Sequence, residues 1–348
     1  MTLLYVVIIF ACIVAVRLAP KTDPVVSLDT QFGVTMVICV HAESLQQIST
    51  CLKSVCTGMS HSDQLIVVAD HADQSLLSYL TTFESHNVIL LRNTGPRGKK
   101  NAQRLGVSAS ANPYIVTVDA DCQVSPFFWL SVRKAVSRRI AVTSDFMLLL
   151  PVHMTGCGNW LFASMVEMEF VCLQMVTAGT ARLGFPTMAN GAGMVFSRNL
   201  YLSHDSDSRY ASGDDMFLLQ EAIRRNCTVN YVVDDNLLVR TDGPDSLQAY
   251  IRQRVRWLGK AGGYSTIAVR VLALAVLLAN LAWPIAILLG FPWLFVAKLL
   301  ADAAIFISGR SFLHSGVNPL VAVPLELSYP IMILVVGFRS IFADKSRW

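Results

Sequence analysis

The chain has 348 residues, of which 53% are apolar and 15% are charged, and its formal net charge at pH 7 is +4. Its mean hydropathy of +0.50 and its shortage of charge, against roughly 25% in soluble globular proteins, exclude a wholly soluble protein and a disordered one. The small net charge also gives no sign of the dominant basic patch of a nucleic-acid binder, and we expect no nucleic-acid partner.

Apolar residues are concentrated at the two ends of the chain. Residues 1–16 carry no charged side chain, and neither do residues 271–297. An apolar run of more than about 18 residues predicts a membrane-spanning helix. We therefore predict an N-terminal transmembrane anchor at 1–19 and a C-terminal transmembrane region at 265–348. The candidate spans in that region are 267–289, 292–307 and 319–342, and the sequence leaves open whether the chain has three or four spans in all.

Two basic residues set the expected orientation in the membrane. Arg17 and Lys21 directly follow the first apolar segment, and basic residues flanking a span favour the cytoplasmic side. A cleaved signal peptide would carry its positive charge before the apolar stretch instead. The pattern predicts a multi-pass protein of the cell inner membrane whose catalytic domain is cytoplasmic.

Cysteine and histidine spacing indicates neither a disulfide framework nor a zinc site. The eight cysteines form no CxxC pair, and the seven histidines form no HxxxH or HExxH pattern. Small buried thiols in a reducing compartment are the expected interpretation.

Between the apolar ends, short β-branched runs alternate with helix-like segments. This alternation predicts an α/β domain with a mostly parallel sheet, which we place at 30–245. The predicted strands are 32–40, 64–69, 87–91 and 113–118. A dinucleotide-binding fold is disfavoured, because no glycine follows the first strand until Gly58.

Acidic residues follow three of these strands, where parallel sheets bind ligands. They are Glu43, then Asp70 and Asp73, then Asp119 and Asp121. Alternate residues at a strand end point the same way, so the two carboxylates of the Asp-x-Asp motif could share a divalent cation. Two solvated acids in a turn are the alternative.

Three further segments carry candidate chemistry. Lys99 lies in a Gly- and Pro-containing basic loop that either faces phosphates or is a solvated turn. Asp214 and Asp215 precede an apolar helix, where a carboxylate either caps the helix or acts as a general base. Residues 246–264 predict a basic amphipathic helix at the membrane interface, and this helix carries a QxxRW motif formed by Gln253, Arg256 and Trp257.

In this order, the motifs resemble a membrane-bound family 2 glycosyltransferase with a GT-A fold. The resemblance covers residues 34–257, and the QxxRW motif is shared with cellulose, chitin and hyaluronan synthases and with ceramide glucosyltransferases. The sequence departs from the family pattern at three places: the Ala-Asp-His-Ala-Asp sequence after the second strand, Gly-Asp-Asp in place of Thr-Glu-Asp, and Gly193, where an Asn is common. They bear on which sugar is used.

The resemblance implies a role for each motif. Glu43 and Asp70 would hold the uridine, Lys99 and Asp119 would contact the nucleotide sugar, and Asp121 would bind Mg²⁺ or Mn²⁺. Asp215 would be the catalytic base. Gln253, Arg256 and Trp257 would close over the diphosphate and the acceptor.

The implied function is inverting transfer of a sugar from a nucleotide sugar, UDP-linked, to a lipid or glycan acceptor at the cytoplasmic membrane face. Two alternatives are a processive polysaccharide synthase and a catalytically silent nucleotide-sugar-binding membrane subunit.

Overall fold

The structure is a computed structural model that describes residues 2–18, 32–41, 43–204 and 213–342. The chain divides into two compact units. The α/β unit comprises residues 22–152 and 189–241, and the helical unit comprises residues 1–21, 153–188 and 242–345. The domain boundaries given in the sequence analysis remain predictions. In the structure, 153–188 belongs to the helical unit although it lies inside the predicted globular domain.

The strands of the α/β unit form a mostly parallel sheet, as predicted. In chain order the strands are β1 (Thr35–Val40), β2 (Gln64–Asp70), β3 (Val88–Asn93), β4 (Tyr114–Thr117), β5 (Phe146–Leu149), β6 (Val152–Thr155), β7 (Met194–Ser197), β8 (Thr228–Tyr231) and β9 (Val239–Asp242). Seven of them form one sheet in the order β3–β2–β1–β4–β7–β5–β8, and β6 pairs with β9. In the large sheet only the two pairs that contain β7 are antiparallel.

The described residues form twelve α-helices. They are α1 (Thr2–Arg17), α2 (Leu45–Cys56), α3 (Gln74–Thr81), α4 (Lys99–Ala109), α5 (Phe128–Ile140), α6 (Trp160–Arg182), α7 (Arg198–Leu202), α8 (Asp214–Arg224), α9 (Leu247–Leu258), α10 (Ile267–Leu288), α11 (Trp293–Arg310) and α12 (Ala322–Ile341). Helices α2 to α5, α7 and α8 belong to the α/β unit, and the others belong to the helical unit.

The burial of β1 and β2 explains why the sequences of these two strands are continuous apolar runs. A parallel sheet covered by helices is buried on both faces, so successive residues, and not alternate ones, must be apolar. Helix α4 approaches these strands closely at Gly106. A Cβ there would lie 2.6 Å from Cγ1 of Val37 and 3.0 Å from Cγ2 of Val68, so this contact excludes a larger residue.

Local capping fixes where two helices begin. Ser44 and Gln47 form a reciprocal capping box at the start of α2. The carboxylate of Asp73 accepts a hydrogen bond of 2.8 Å from the main-chain N–H of Leu76 at the start of α3. Asp73 is therefore a helix cap, which separates it from the other acids that follow the strands.

The antiparallel strand β7 brings an additional loop to the carboxyl edge of the parallel strands. Met194, the first residue of β7, pairs with Thr117, the last residue of β4. The segment Asn190–Gly193 that leads into β7 consequently lies at the same edge as the acids that follow β4.

The helical unit supplies the apolar helices. Three helices in the described part of the chain are long and apolar enough to cross a membrane, judged by length and composition: Trp160–Arg182, Ile267–Leu288 and Pro319–Ile341. The first was not singled out by sequence patterning. Helix α1 is a shorter apolar helix, and Lys21, which the orientation prediction uses, lies outside the described residues.

A buried charged cluster links three helices of this unit. Lys298 of α11 is 1% exposed and donates to Asp302 Oδ2 at 2.8 Å and to Glu326 of α12. The hydroxyl of Tyr5 in α1 donates to Asp302. The two charges that interrupt the predicted span at 292–307 are thus paired inside the helical unit, which is how charged groups are tolerated among apolar helices.

Candidate active site

The Asp-x-Asp motif lies directly beyond β4, at the carboxyl edge of the sheet. Asp119 forms an ion pair with Lys99, and the side chains of the two residues are 34% and 27% exposed. Burial acts to lower the pKa of Lys99, but the Asp119 carboxylate outweighs it and raises that pKa. Lys99 therefore stays charged, and the pair remains accessible to a ligand.

Asp121 has a different environment from Asp119. Among the described residues no Lys or Arg forms an ion pair with it, and its Oδ1 accepts a long hydrogen bond of 3.5 Å from the thiol of Cys122. Burial, together with the neighbouring Asp119 carboxylate, raises the pKa of Asp121 to about 6. The charge of Lys99 acts in the opposite direction and offsets this rise only in part.

These two aspartates fit a hard divalent cation. Carboxylate oxygens are the ligands that Mg²⁺ and Mn²⁺ prefer, and Asp121 is a half-buried carboxylate without a cationic partner in the described chain. The described residues contain no group of three or more His, Cys, Asp or Glu side chains placed to hold a metal. A cation here would take its remaining ligands from a substrate or from water.

Lys99 is positioned by a loop that Asp70 organises. Asp70 is 1% exposed, and its Oδ2 accepts a hydrogen bond of 2.8 Å from the main-chain N–H of Gly98. Gly98 is the N-cap of α4 and has a φ of 128°, a value that L side chains rarely adopt. Lys99 follows as the first residue of the helix.

Asn93, the last residue of β3, completes this arrangement. Its amide donates to Asp70 Oδ1 at 2.6 Å and to the carbonyl of Pro96 at 3.0 Å, and its Oδ1 accepts from the N–H of Gly95 at 3.1 Å. Asp70 and Asn93 therefore hold the loop 95–98 against the ends of β2 and β3.

Asp215 reaches the same site from the start of α8. The N-cap of this helix is Gly213, with a φ of 103° and no side-chain cap, so neither Asp214 nor Asp215 is the capping residue. Asp215 Oδ2 accepts a hydrogen bond of 3.1 Å from the N–H of Gly191, and its Oδ1 accepts from the N–H of Met216 at 2.8 Å. These two bonds fix its orientation.

Gly191 shows how closely the elements converge. A Cβ added there would lie 3.7 Å from Asp215 Oδ2 and 3.8 Å from Lys99 Nζ. The structure thus brings together Lys99, Asp119 and Asp215, from three separate segments of the α/β unit, with Asp121 beside Asp119.

Glu43 lies after β1 at the same edge. It is half-buried, and its Oε2 accepts a hydrogen bond of 2.7 Å from the N–H of His41. His41 Nδ1 in turn lies 2.9 Å from the carbonyl oxygen of Asp70. The first and second strand ends are therefore tied to each other beside the Lys99 loop.

The other three predicted residues lie on α9, in the helical unit. Arg256 is exposed, and Gln253 and Trp257 are half-buried. The buried arginine of this helix is Arg254, which pairs with the buried Glu169 of α6. Sequence reasoning missed this pair, although two carboxylates, Glu167 and Glu169, within a mostly apolar helix are a signal that could have pointed to it.

Residues 33–260 match the sequence profile of the family described as "Glycosyltransferase like family 2". The chain belongs to this family. This confirms the prediction of a family 2 glycosyltransferase enzyme, while the subgroup implied by the QxxRW motif stays a prediction. No curated protein matches the chain.

Together with the family match, one solved structure confirms the GT-A fold of this family 2 glycosyltransferase. A mannosyltransferase, PcManGT from Pyrobaculum calidifontis, solved with GDP-Man and Mn²⁺, has 13% sequence identity and a TM-score of 0.58 over 98% of each chain. GalNAc-T7, solved with UDP, GalNAc and Mn²⁺, has 14% identity and a TM-score of 0.46 over 61% of this chain and 43% of its own.

The role of Asp70 in holding the Lys99 loop can be measured. In Asp70→Asn one of the two acceptor oxygens becomes an NH₂ donor, which cannot accept from the Gly98 N–H or from the Asn93 amide. Losing such a buried hydrogen bond costs about 1–3 kcal/mol of stability. We expect hydrogen exchange in a peptide spanning 94–100 to accelerate about tenfold or more, because 1.4 kcal/mol corresponds to a factor of ten.

Asp73→Asn is the matched control, because asparagine caps a helix as well as aspartate does. It should leave exchange in 94–100 unchanged. Equal exchange in the wild-type protein and in Asp70→Asn would show that the loop does not depend on Asp70.

Proposed function

We propose that this family 2 glycosyltransferase is an inverting enzyme that transfers a sugar from a nucleotide sugar to a hydroxyl of a lipid or glycan acceptor at the cytoplasmic face of a membrane. The observation that carries the proposal is the convergence of Lys99, Asp119, Asp121 and Asp215 at one sheet edge. These groups are of the types needed to bind a diphosphate and to remove a proton.

The donor side of the site is assigned to the Asp-x-Asp motif and Lys99. We propose that Asp121, aided by Asp119, holds Mg²⁺ or Mn²⁺. Such an ion would neutralise the negative charge that grows on the departing diphosphate. Lys99 lies beside Asp119 and supplies a positive charge. A charge that is held in position before the reaction stabilises the transition state most strongly.

The acceptor side is assigned to Asp215. Its carboxylate removes the proton of an acceptor hydroxyl while the hydroxyl oxygen attacks the anomeric carbon from the side opposite the diphosphate. The bond from the anomeric carbon to the diphosphate oxygen breaks, its electron pair leaves with the nucleoside diphosphate, and the configuration inverts. Two main-chain hydrogen bonds to Asp215 leave further lone pairs for that proton. A positioned base contributes about 10² to 10⁴ in rate.

The nucleoside is assigned to the edge formed by Glu43 and Asp70. Glu43 is half-buried and can accept hydrogen bonds from a base. The carboxylate oxygens of Asp70 already accept from Asn93 of β3 and from the N–H of Gly98. We therefore propose that Asp70 acts by shaping this edge. A UDP-linked donor is proposed from the motif resemblance. PcManGT was solved with GDP-Man, so guanosine donors belong in the test.

The membrane assignment rests on the apolar helices. Three candidate spans support a multi-pass membrane protein, which we propose lies in the cell inner membrane. From the motif resemblance we propose that Gln253, Arg256 and Trp257 of α9 act on the diphosphate and the acceptor. Export of a long polar glycan would need a pore lined by several helices. Transfer of a single sugar needs none, and we propose that limited transfer.

A donor panel tests the function directly. Detergent-solubilised protein is incubated with Mn²⁺, a membrane-lipid extract and UDP- or GDP-linked sugars in turn, and release of nucleoside diphosphate is measured. We expect turnover with one donor class, and analysis of product length separates single transfer from polymerisation. Binding of a nucleotide sugar without turnover on any donor would instead indicate a silent subunit.

Asp121→Asn tests the metal assignment. An amide is a weaker ligand than a carboxylate for a hard cation, and loss of one electrostatic stabiliser typically costs about 10² or more in rate. We expect metal-dependent turnover to fall by at least that factor at limiting Mn²⁺. Asp145→Asn, which changes the residue directly before β5, is the control. Wild-type turnover of Asp121→Asn across a Mn²⁺ titration would contradict the assignment.

Asp215→Asn and Asp214→Asn separate the base from its neighbour. Removing the base should lower kcat by about 10² to 10⁴, with little change in melting temperature, because asparagine keeps the size of the side chain. Asp214→Asn removes a helix-start charge, a loss of about 0.3–1 kcal/mol, and should lower the melting temperature while turnover persists. The reverse pattern would assign the base to Asp214.

A further inference from the structure

The helix that carries the QxxRW motif is tied to its unit by a buried carboxylate. Glu169 lies within α6 and is 6% exposed. Its Oε2 accepts hydrogen bonds from Arg254 and, at 2.9 Å, from the hydroxyl of Tyr250, both on α9. Its Oε1 accepts from the hydroxyl of Tyr329 on α12 at 2.8 Å. One side chain thus joins three helices of the helical unit.

Arg254 connects this carboxylate to two residues of the motif. Its Nη1 donates to Gln253 Oε1 at 3.1 Å. Its guanidinium carbon lies 4.2 Å from the ring centroid of Trp257 and 4.6 Å from that of Tyr250. Arg254 therefore contacts both Gln253 and Trp257 while its charge is compensated by Glu169.

Helix geometry explains the arrangement. Residues three or four apart lie on the same face of a helix, so Tyr250, Arg254 and Trp257 form one row. Arg256 lies off that row and is exposed. The guanidinium can lie against two rings and still donate to two acceptors because it is planar and carries five N–H groups, a combination that lysine lacks.

We propose that Glu169 and Arg254 are positioning residues that hold Gln253 and Trp257 in the orientation required for transfer. This inference rests on the proposed function, which assigns Gln253 and Trp257 to the diphosphate and the acceptor. Neither Glu169 nor Arg254 is proposed to contact substrate.

A purely structural role makes a different prediction. Replacing both partners of a buried ion pair with uncharged residues is often neutral for stability, whereas removing one partner leaves an uncompensated charge and is costly. If the pair only supports the fold, neutralising both residues should restore stability and turnover together. If it orients the motif, stability should return without turnover.

The experiment compares four variants of the full chain in detergent. They are Glu169→Gln, Arg254→Lys, the double variant Glu169→Gln/Arg254→Met, and the control Arg252→Met, which changes an exposed arginine on the same helix. Turnover with the preferred donor and the melting temperature are measured for each.

We expect kcat to fall about 10²-fold in Glu169→Gln and in the double variant, because small misplacements of this kind can cost that much. The donor KM should change little. The melting temperature should fall in Glu169→Gln and recover in the double variant. Arg254→Lys should keep the ion pair and the melting temperature but lose turnover, and Arg252→Met should match the wild-type protein. Wild-type kcat in Arg254→Lys, or recovery of kcat in the double variant, would overturn the proposal.

A second readout does not depend on turnover. Acrylamide quenching of Trp257 is obtained as the difference between each protein and its Trp257→Phe counterpart. We expect the Trp257 ring to become more accessible in Glu169→Gln and in the double variant than in the wild-type protein or Arg252→Met. Absence of turnover by the wild-type protein on every donor would contradict the proposed function but would leave the quenching experiment valid. Unchanged quenching in Glu169→Gln and in the double variant would overturn the positioning role.

Discussion

Repulsion between like charges constrains the carboxyl edge of the sheet in the α/β unit. Asp70, Asp119, Asp121 and Asp215 all lie there, and carboxylates brought close together disfavour each other's ionisation. Three of them are compensated in different ways. Asp70 accepts hydrogen bonds from the main-chain N–H of Gly98 and from the side-chain amide of Asn93. Asp119 pairs with Lys99, and Asp215 accepts hydrogen bonds from two main-chain N–H groups. Asp121 forms no ion pair with Lys or Arg among the described residues, and its pKa is raised to about 6.

This unequal compensation gives the site its chemical asymmetry. Of the two aspartates of the Asp-x-Asp motif, only Asp119 has a lysine partner, and Asp121 is the one that we propose binds a divalent ion. Asp215, which is held by two main-chain N–H groups, is the proposed base. Lys99, which pairs with Asp119, and Asp215 both lie close to Gly191. Because Gly191 has no side chain, only its main chain lines the space beside them.

In the helical unit, charged side chains are buried among apolar helices and also need partners. Lys298 is paired with Asp302 and Glu326, and Arg254 is paired with Glu169. Buried charges are expensive unless they are paired and hydrogen-bonded, so each of these clusters specifies which helices must lie together. In the second cluster the same requirement also fixes the residues beside the QxxRW motif.

Local patterning determined a large part of this protein. The strands β1 to β4, the start of α2, the apolar helices α1, α10 and α12, and the family motifs were all readable, because burial on both faces of a parallel sheet and the length of a membrane span impose continuous apolar runs. The roles of individual polar residues were not. Asp73 caps a helix, Asp70 holds a loop through Gly98, and Arg254, not Arg256, is the buried arginine of its helix. Only the tertiary structure decided these points, because each depends on a partner brought close by folding, such as Glu169, which lies 85 residues from Arg254 in the chain.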